Sequence, residues 1–192
     1  MILSAIAIAT FGIFLTLLVS GLFYKYRETP VVKASGRELS SLLLVGILSC
    51  FAVTYILPLR PSVFSCALQR FLIGICFTIV YSALLTKTNR ISRIFKASKK
   101  SAKRPNFIQP KSQLIICSCL ISVQLIVYLL WIAFQSPVAI HHYPTRKDNQ
   151  LICASRINFT FLFVFLYPIL LVIICTYYAF LTRKVNIIQE KI

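Results

Sequence analysis

The sequence predicts an all-α membrane protein that crosses the bilayer five times. Hydrophobic residues make up 58% of the chain and its mean hydropathy is +0.83, both well above the range of soluble domains. The apolar residues gather into five runs, at about 2–24, 38–58, 66–86, 112–134 and 158–182. Each run is near the ~20 residues that a helix needs to cross a hydrocarbon core of ~30 Å. No run alternates polar and apolar residues over ~10 positions, as barrel strands do, so the spans are helices.

The first run is longer than the apolar core of a secretory leader. It has no basic residues ahead of it, and Lys25 and Arg27 follow it where a small-residue cleavage site would lie. It is therefore expected to stay as an uncleaved span, with the N-terminus outside and no outer domain before it. The second run closes at Pro58. Between the fourth and fifth runs, "SPVAIHHYPTRKDNQLICAS" flanks a polar turn with alternating residues and predicts a short outer hairpin. The fifth run contains Pro168, which removes a backbone donor and is expected to kink the helix.

Charge sets the orientation. The connections 25–37, 87–111 and 183–192 hold 16 of the 21 Lys and Arg residues, nine of them in 87–111. The other five are Arg60, Arg70, Arg146, Lys147 and Arg156. The positive-inside rule places the first group of connections and the C-terminus in the cytoplasm of a multi-pass plasma-membrane protein. In a soluble chain a net charge of +17 would point to nucleic acid. Here no nucleic-acid partner is expected: the bases fix topology and draw anionic lipid of the inner leaflet, at ~1 kcal/mol per base near the surface.

Five cysteines, Cys50, Cys76, Cys117, Cys119 and Cys175, fall inside spans, where a thiol acts as a small apolar packing residue. Only Cys66 and Cys153 reach the outer, oxidising side, which predicts a disulfide pinning the outer loop over the bundle. His141 and His142 are adjacent, so in a strand they point to opposite faces and make a poor metal site. The sequon at Asn158 lies at the mouth of span five, where low glycan occupancy is expected. No metal or cofactor is expected, and no catalytic residue is assigned, because no span holds a Ser/His, paired-Asp or His/Glu set. Rings of acids, as channels use, are also missing.

Span three carries the most specific pattern. Arg70, Ile73, Phe77, Tyr81 and Leu84 recur at intervals of three and four, along one helix face. Plain bundle packing explains such a stripe. A charge within about one turn of the outer boundary instead points to a hydrated pocket that opens outward. At the inner end, Lys87 and Arg90 either snorkel to headgroups or pair with an acid, Glu38 being the nearest candidate.

The blocks "TPVVKASGRELS" (29–40), "YSALLTKTNRISRIF" (81–95), "YPTRKDNQLIC" (143–153) and "CTYYAFLTRKV" (175–185) resemble the transmembrane domain of metabotropic glutamate receptors, in class C of the G-protein-coupled receptors. The similarity runs over the whole chain. It implies five helices of a seven-helix receptor bundle, ending before helices six and seven, as one partial domain over 1–192 with inner loops at 25–37, 87–111 and 183–192. It also implies the Cys66–Cys153 disulfide, an allosteric pocket lined by Arg70, Ile73, Phe77 and Tyr81, and a cytoplasmic polar lock that contains Lys87 and Ser35. In the family that lock includes an acid at the foot of helix six. Phe77, Val80 and Pro168 depart from the residues that relatives carry, which implies a different ligand preference or none.

The resemblance implies signalling to a heterotrimeric G protein, contacted through the basic inner connection at Arg90, Arg93 and Lys96, and a receptor dimer as a further partner. The alternative is a truncated, non-signalling fragment that associates with full-length receptors.

Overall fold

The computed structural model describes residues 2–30, 32, 36–60, 62–100, 110–134, 138–145, 148–154 and 161–190. Five helices form a bundle: α1 (Ile2–Lys25), α2 (Arg37–Ile56), α3 (Val63–Lys100), α4 (Pro110–Phe134) and α5 (Phe161–Glu190). Four of them, at Ile2–Lys25, Arg37–Ile56, Val63–Ile94 and Lys111–Phe134, are long and apolar enough to cross a membrane. In α5 the corresponding apolar stretch is Phe165–Leu181. A two-stranded antiparallel hairpin, β1 (Val138–Thr145) and β2 (Asp148–Ala154), lies between α4 and α5, as the turn chemistry predicts.

Side chains and one glycine shape the helix ends. Ser62 caps α3: its hydroxyl accepts from the Ser65 N–H at 3.1 Å and its carbonyl from the Cys66 N–H at 2.8 Å. At the neighbouring end of α2, Gln69 Nε2 donates to the Ile56 and Leu57 carbonyls at 3.0 and 3.2 Å, supplying partners that the helix itself cannot. Gly36 opens α2 at φ +80°, a left-handed conformation that favours glycine.

One expected boundary moves. Residues 87–100, read from sequence as an inner loop, continue α3 without a break to Lys100. The segment has no Gly or Pro, and hydropathy marks where hydrocarbon ends and not where helical backbone ends. At 1.5 Å per residue, the 38-residue α3 is roughly 57 Å long, about twice the hydrocarbon thickness. The last connection behaves alike, because α5 stays helical to Glu190.

Helix α3 is the centre of the bundle and packs on α2, α4, α5 and β1, while α1 reaches the bundle through α2. Its most buried positions include Gly74, Thr78, Ser82 and Thr86, a four-residue repeat of small and hydroxyl residues, joined by Cys76 and Ala83. Small residues let helices approach closely in lipid, where apolar bulk gives no net drive to associate. The hydroxyls of Thr78 and Thr86 donate to the Gly74 and Ser82 carbonyls at 2.8 and 2.7 Å, so each is satisfied within its own helix. Ser82 also meets the Cys117 thiol of α4 at 3.2 Å. Between helices, Tyr128 donates to the Ala67 carbonyl at 2.7 Å, Tyr167 to the Leu120 carbonyl at 2.8 Å, and Thr10 bonds Tyr55 at 2.6 Å.

Two glycines mark close approaches. A Cβ on Gly12 of α1 would run into the Phe51 ring of α2, and one on Gly46 of α2 would come within 2.9 Å of both the Ile79 and Val80 side chains of α3. Gly46→Leu is expected to force α2 off α3 at a cost of about 1–3 kcal/mol, and thermal unfolding in detergent compared with the native chain measures it.

Candidate functional site

At the hairpin end the chain is fastened covalently. Cys66, fully buried at the start of α3, bonds Cys153 on β2, 87 positions later in the sequence, with Cα atoms 5.6 Å apart. Cys153 is paired in the strands with Ala139, so the bond ties the hairpin to the top of α3. His141 and His142 occupy successive register positions opposite Leu151 and Gln150. Asn158 lies outside the described residues.

Below the disulfide, the stripe on α3 divides between two neighbourhoods. The Arg70 guanidinium sits 5.2 Å over the Trp131 ring of α4, a cation–π contact that suits a charge at partial depth. Around it, Phe71, Tyr128 and Trp131 form an aromatic cluster, with ring centroids 4.9 Å apart for Phe71 and Tyr128 and 6.1 Å for Tyr128 and Trp131. Further down, Phe77 and Tyr81 stack nearly parallel with centroids 6.4 Å apart. Phe77 is 42% exposed while Ile73 and Tyr81 are half-buried, so this side of α3 is an open, aromatic face. Sequence reasoning selected the stripe but missed Trp131 and Tyr128. The available signal was the chain's single Trp, yet nothing local links it to Arg70.

At the opposite end, Lys87 on α3 donates to the Ser40 hydroxyl of α2 at 2.8 Å, and Ser40 in turn donates to the Gly36 carbonyl at 3.2 Å. Ser40 is only 4% exposed, so this is an interhelical polar contact inside the bundle. Arg90, one turn along α3, brings Nη1 to within 2.9 Å of the point where a Gly36 side chain would begin. Ser35, expected beside Lys87, lies outside the described residues. Glu38, the nearest acid from sequence, turns to Arg37 at 3.8 Å, and Arg37 also reaches Glu28 at 3.5 Å. Glu38 and Ser40 are two positions apart, which puts them roughly 200° apart around α2, so only one of them can face Lys87. Arg93 is exposed and its Nε donates to Asn89 Oδ1 at 3.0 Å. Lys96 falls on α3, but its side chain lies outside what is described.

The fold is thus a helical bundle with a disulfide-pinned hairpin at one end, an open aromatic face in one half and an interhelical lysine contact in the other. The family model described as "7 transmembrane sweet-taste receptor of 3 GCPR" matches residues 1–190. The chain is 50% identical over 179 residues to the metabotropic glutamate receptor of Drosophila melanogaster and 47% identical over 178 residues to the probable metabotropic glutamate receptor mgl-1 of Caenorhabditis elegans. Each match covers 93% of this chain and 18% of the relative, so the chain spans about a fifth of the length of the curated relatives it matches. The chain therefore belongs to the class C G-protein-coupled receptor family, a family of receptors and not of enzymes, and is similar to the metabotropic glutamate receptors within it.

Two measurements test this geometry. Cys153→Ser is expected to abolish the mobility difference between reduced and oxidised chain and to cost up to ~4 kcal/mol of stability in the chain-entropy picture, read by thermal unfolding with and without reductant. A double-mutant cycle on Ser40→Ala and Lys87→Met is expected to return a coupling of about 1 kcal/mol, whereas strict additivity means that the Lys87–Ser40 bond contributes nothing.

Proposed function

We propose that the chain is the membrane core of a glutamate-receptor-like receptor that passes an external signal to a heterotrimeric G protein. Identity of 47–50% over nearly the whole chain to two metabotropic glutamate receptors carries the reading. The uneven distribution of bases supports a plasma-membrane topology with the N-terminus outside and the Lys87 end cytoplasmic.

In this reading the outer face formed by Arg70, Ile73, Phe77 and Tyr81 takes a small molecule. The stacked rings of Phe77 and Tyr81 offer it flat apolar surface, and the Arg70 guanidinium favours an acceptor or anionic group. The Lys87–Ser40 contact acts as the polar lock at the cytoplasmic end, with Ser35 nearby in sequence as a further hydroxyl. A ligand or attached domain that binds one packing of α3 against α2 better than another shifts the balance between them. Of the bases on the extension of α3 beyond the hydrocarbon, the exposed Arg93 and, further along, Lys96 meet the G protein, while Arg90 is turned toward Gly36. The same bases attract anionic lipid, and a second receptor copy is the proposed dimer partner.

Residues 1–190 exchanged for the matching segment of a full-length relative test this. The chimaera is expected to retain agonist-stimulated G-protein activation, and Lys87→Met within it to raise basal activity about fivefold. A folded, surface-exposed chimaera with no agonist response defeats the reading.

A further inference from the structure

The cavity with the most unusual chemistry lies away from both parts of the site. Between α1 and α2, at the Lys87 end of the bundle, a groove of about 1160 Å³ is walled by Leu17, Gly21, Leu42 and Val45 and reaches Leu114 of α4. At its mouth stand Arg27, Glu28, Arg37 and Glu38. The chain has only four acidic residues and a net charge of +17, yet two of the four acids are here. Their carboxylates alternate with the guanidiniums: Arg27 to Glu28 at 3.5 Å, Glu28 to Arg37 at 3.5 Å, and Arg37 to Glu38 at 3.8 Å. Among the described residues, the two cations and two anions at the mouth balance, on a strongly basic chain.

We propose that this groove holds a phospholipid with an ethanolamine headgroup. Its acyl chains lie on the apolar wall, its phosphate on Arg27 and Arg37, and its ammonium on Glu28 and Glu38. Charge complementarity selects this occupant. The long, solvent-exposed ion pairs at the mouth are weak and exchange readily for contacts of equal charge. A glycerol headgroup offers the two carboxylates no cation, and a serine headgroup sets a third carboxylate beside them. A quaternary ammonium lacks the N–H donors that a primary ammonium directs at carboxylate oxygens. An uncharged sterol leaves all four ionic groups unanswered. The groove exceeds the ~300–1,000 Å³ of most small-molecule sites and is open along its length, which suits a chain-bearing ligand held against a bilayer.

The test uses the full chain in mixed bilayers, with phospholipid probes of identical chains that carry a tail diazirine and an ethanolamine, choline or glycerol headgroup. Crosslinks are mapped by mass spectrometry to the groove peptides of α1 and α2, separately from the basic stretch of α3, where anionic lipid collects for its own reasons. The ethanolamine probe is expected to label the groove about threefold more than either other probe, the scale that exposed ion pairs supply. In the E28Q/E38Q chain the order is expected to reverse in favour of the glycerol probe. Equal or stronger groove labelling of the native chain by the glycerol probe overturns the proposal, and this comparison stands even where E28Q/E38Q fails to fold. An unchanged order in folded E28Q/E38Q, or even labelling of all apolar faces by every probe, overturns it too. Labelling that excess inorganic phosphate removes assigns the site to a free anion and equally defeats the lipid.

Discussion

Hydrocarbon offers a backbone amide no partner, and this one constraint shapes most of the chain. It makes every span a helix and moves the difficulty to the helix ends and to the polar side chains between helices. The chain answers with side chains that bond backbone. Gln69 covers the last carbonyls of α2, Ser62 caps α3, and Tyr128 and Tyr167 each donate across a helix boundary to a carbonyl. Such bonds fix helices in axial register, because a shift of one residue would take the phenol off its acceptor.

Register matters because burial of apolar bulk does little to hold helices together in lipid. The face of α3 built on Gly74, Thr78, Ser82 and Thr86 works through close approach and short polar contacts, each on the order of 0.6 kcal/mol in such settings. A bundle held by several small terms has neighbouring packings close in energy. Lys87 reaching Ser40 from α3 to α2 is one contact that a packing with α2 shifted against α3 would lose. The disulfide at the other end keeps α3 and the hairpin together in all of them.

Much of this was legible in the sequence, and the exceptions have physical causes. Hydropathy marked the spans because each had to match a fixed hydrocarbon thickness. Sorting the thiols by the expected topology paired Cys66 with Cys153, the only two read as reaching the outer side, and the disulfide joins them. The extension of α3 past residue 86 was missed because leaving the membrane and ending a helix are separate events, and only the first has a hydropathy signature. Ser40 was missed because it stands 47 residues from Lys87. The family pattern pointed to Ser35, and the search for an opposite charge pointed to Glu38, whose position on the helix turns it toward Arg37. The Arg70–Trp131 contact was likewise hidden, because helical periodicity orders residues on one helix but says nothing of which neighbour each face meets.

Electrostatics then divides the Lys87 end in two. The bases at 87, 90, 93 and 96 recur every three residues, so each step lags a full turn by about 60° and the row sweeps roughly half the circumference of α3. No single flat surface can meet all of them. Arg90 turns inward and lies half-buried against Gly36, while Arg93 faces outward and is exposed. The inward bases thus belong to the contact between α2 and α3, and the outward ones are left for an external anion or acidic partner. Beside them, the described ionic residues at the mouth of the α1–α2 groove are two arginines and two glutamates. The same end of the bundle therefore presents outward bases next to a mouth whose described charges balance, so the two surfaces differ in the electrostatics they offer.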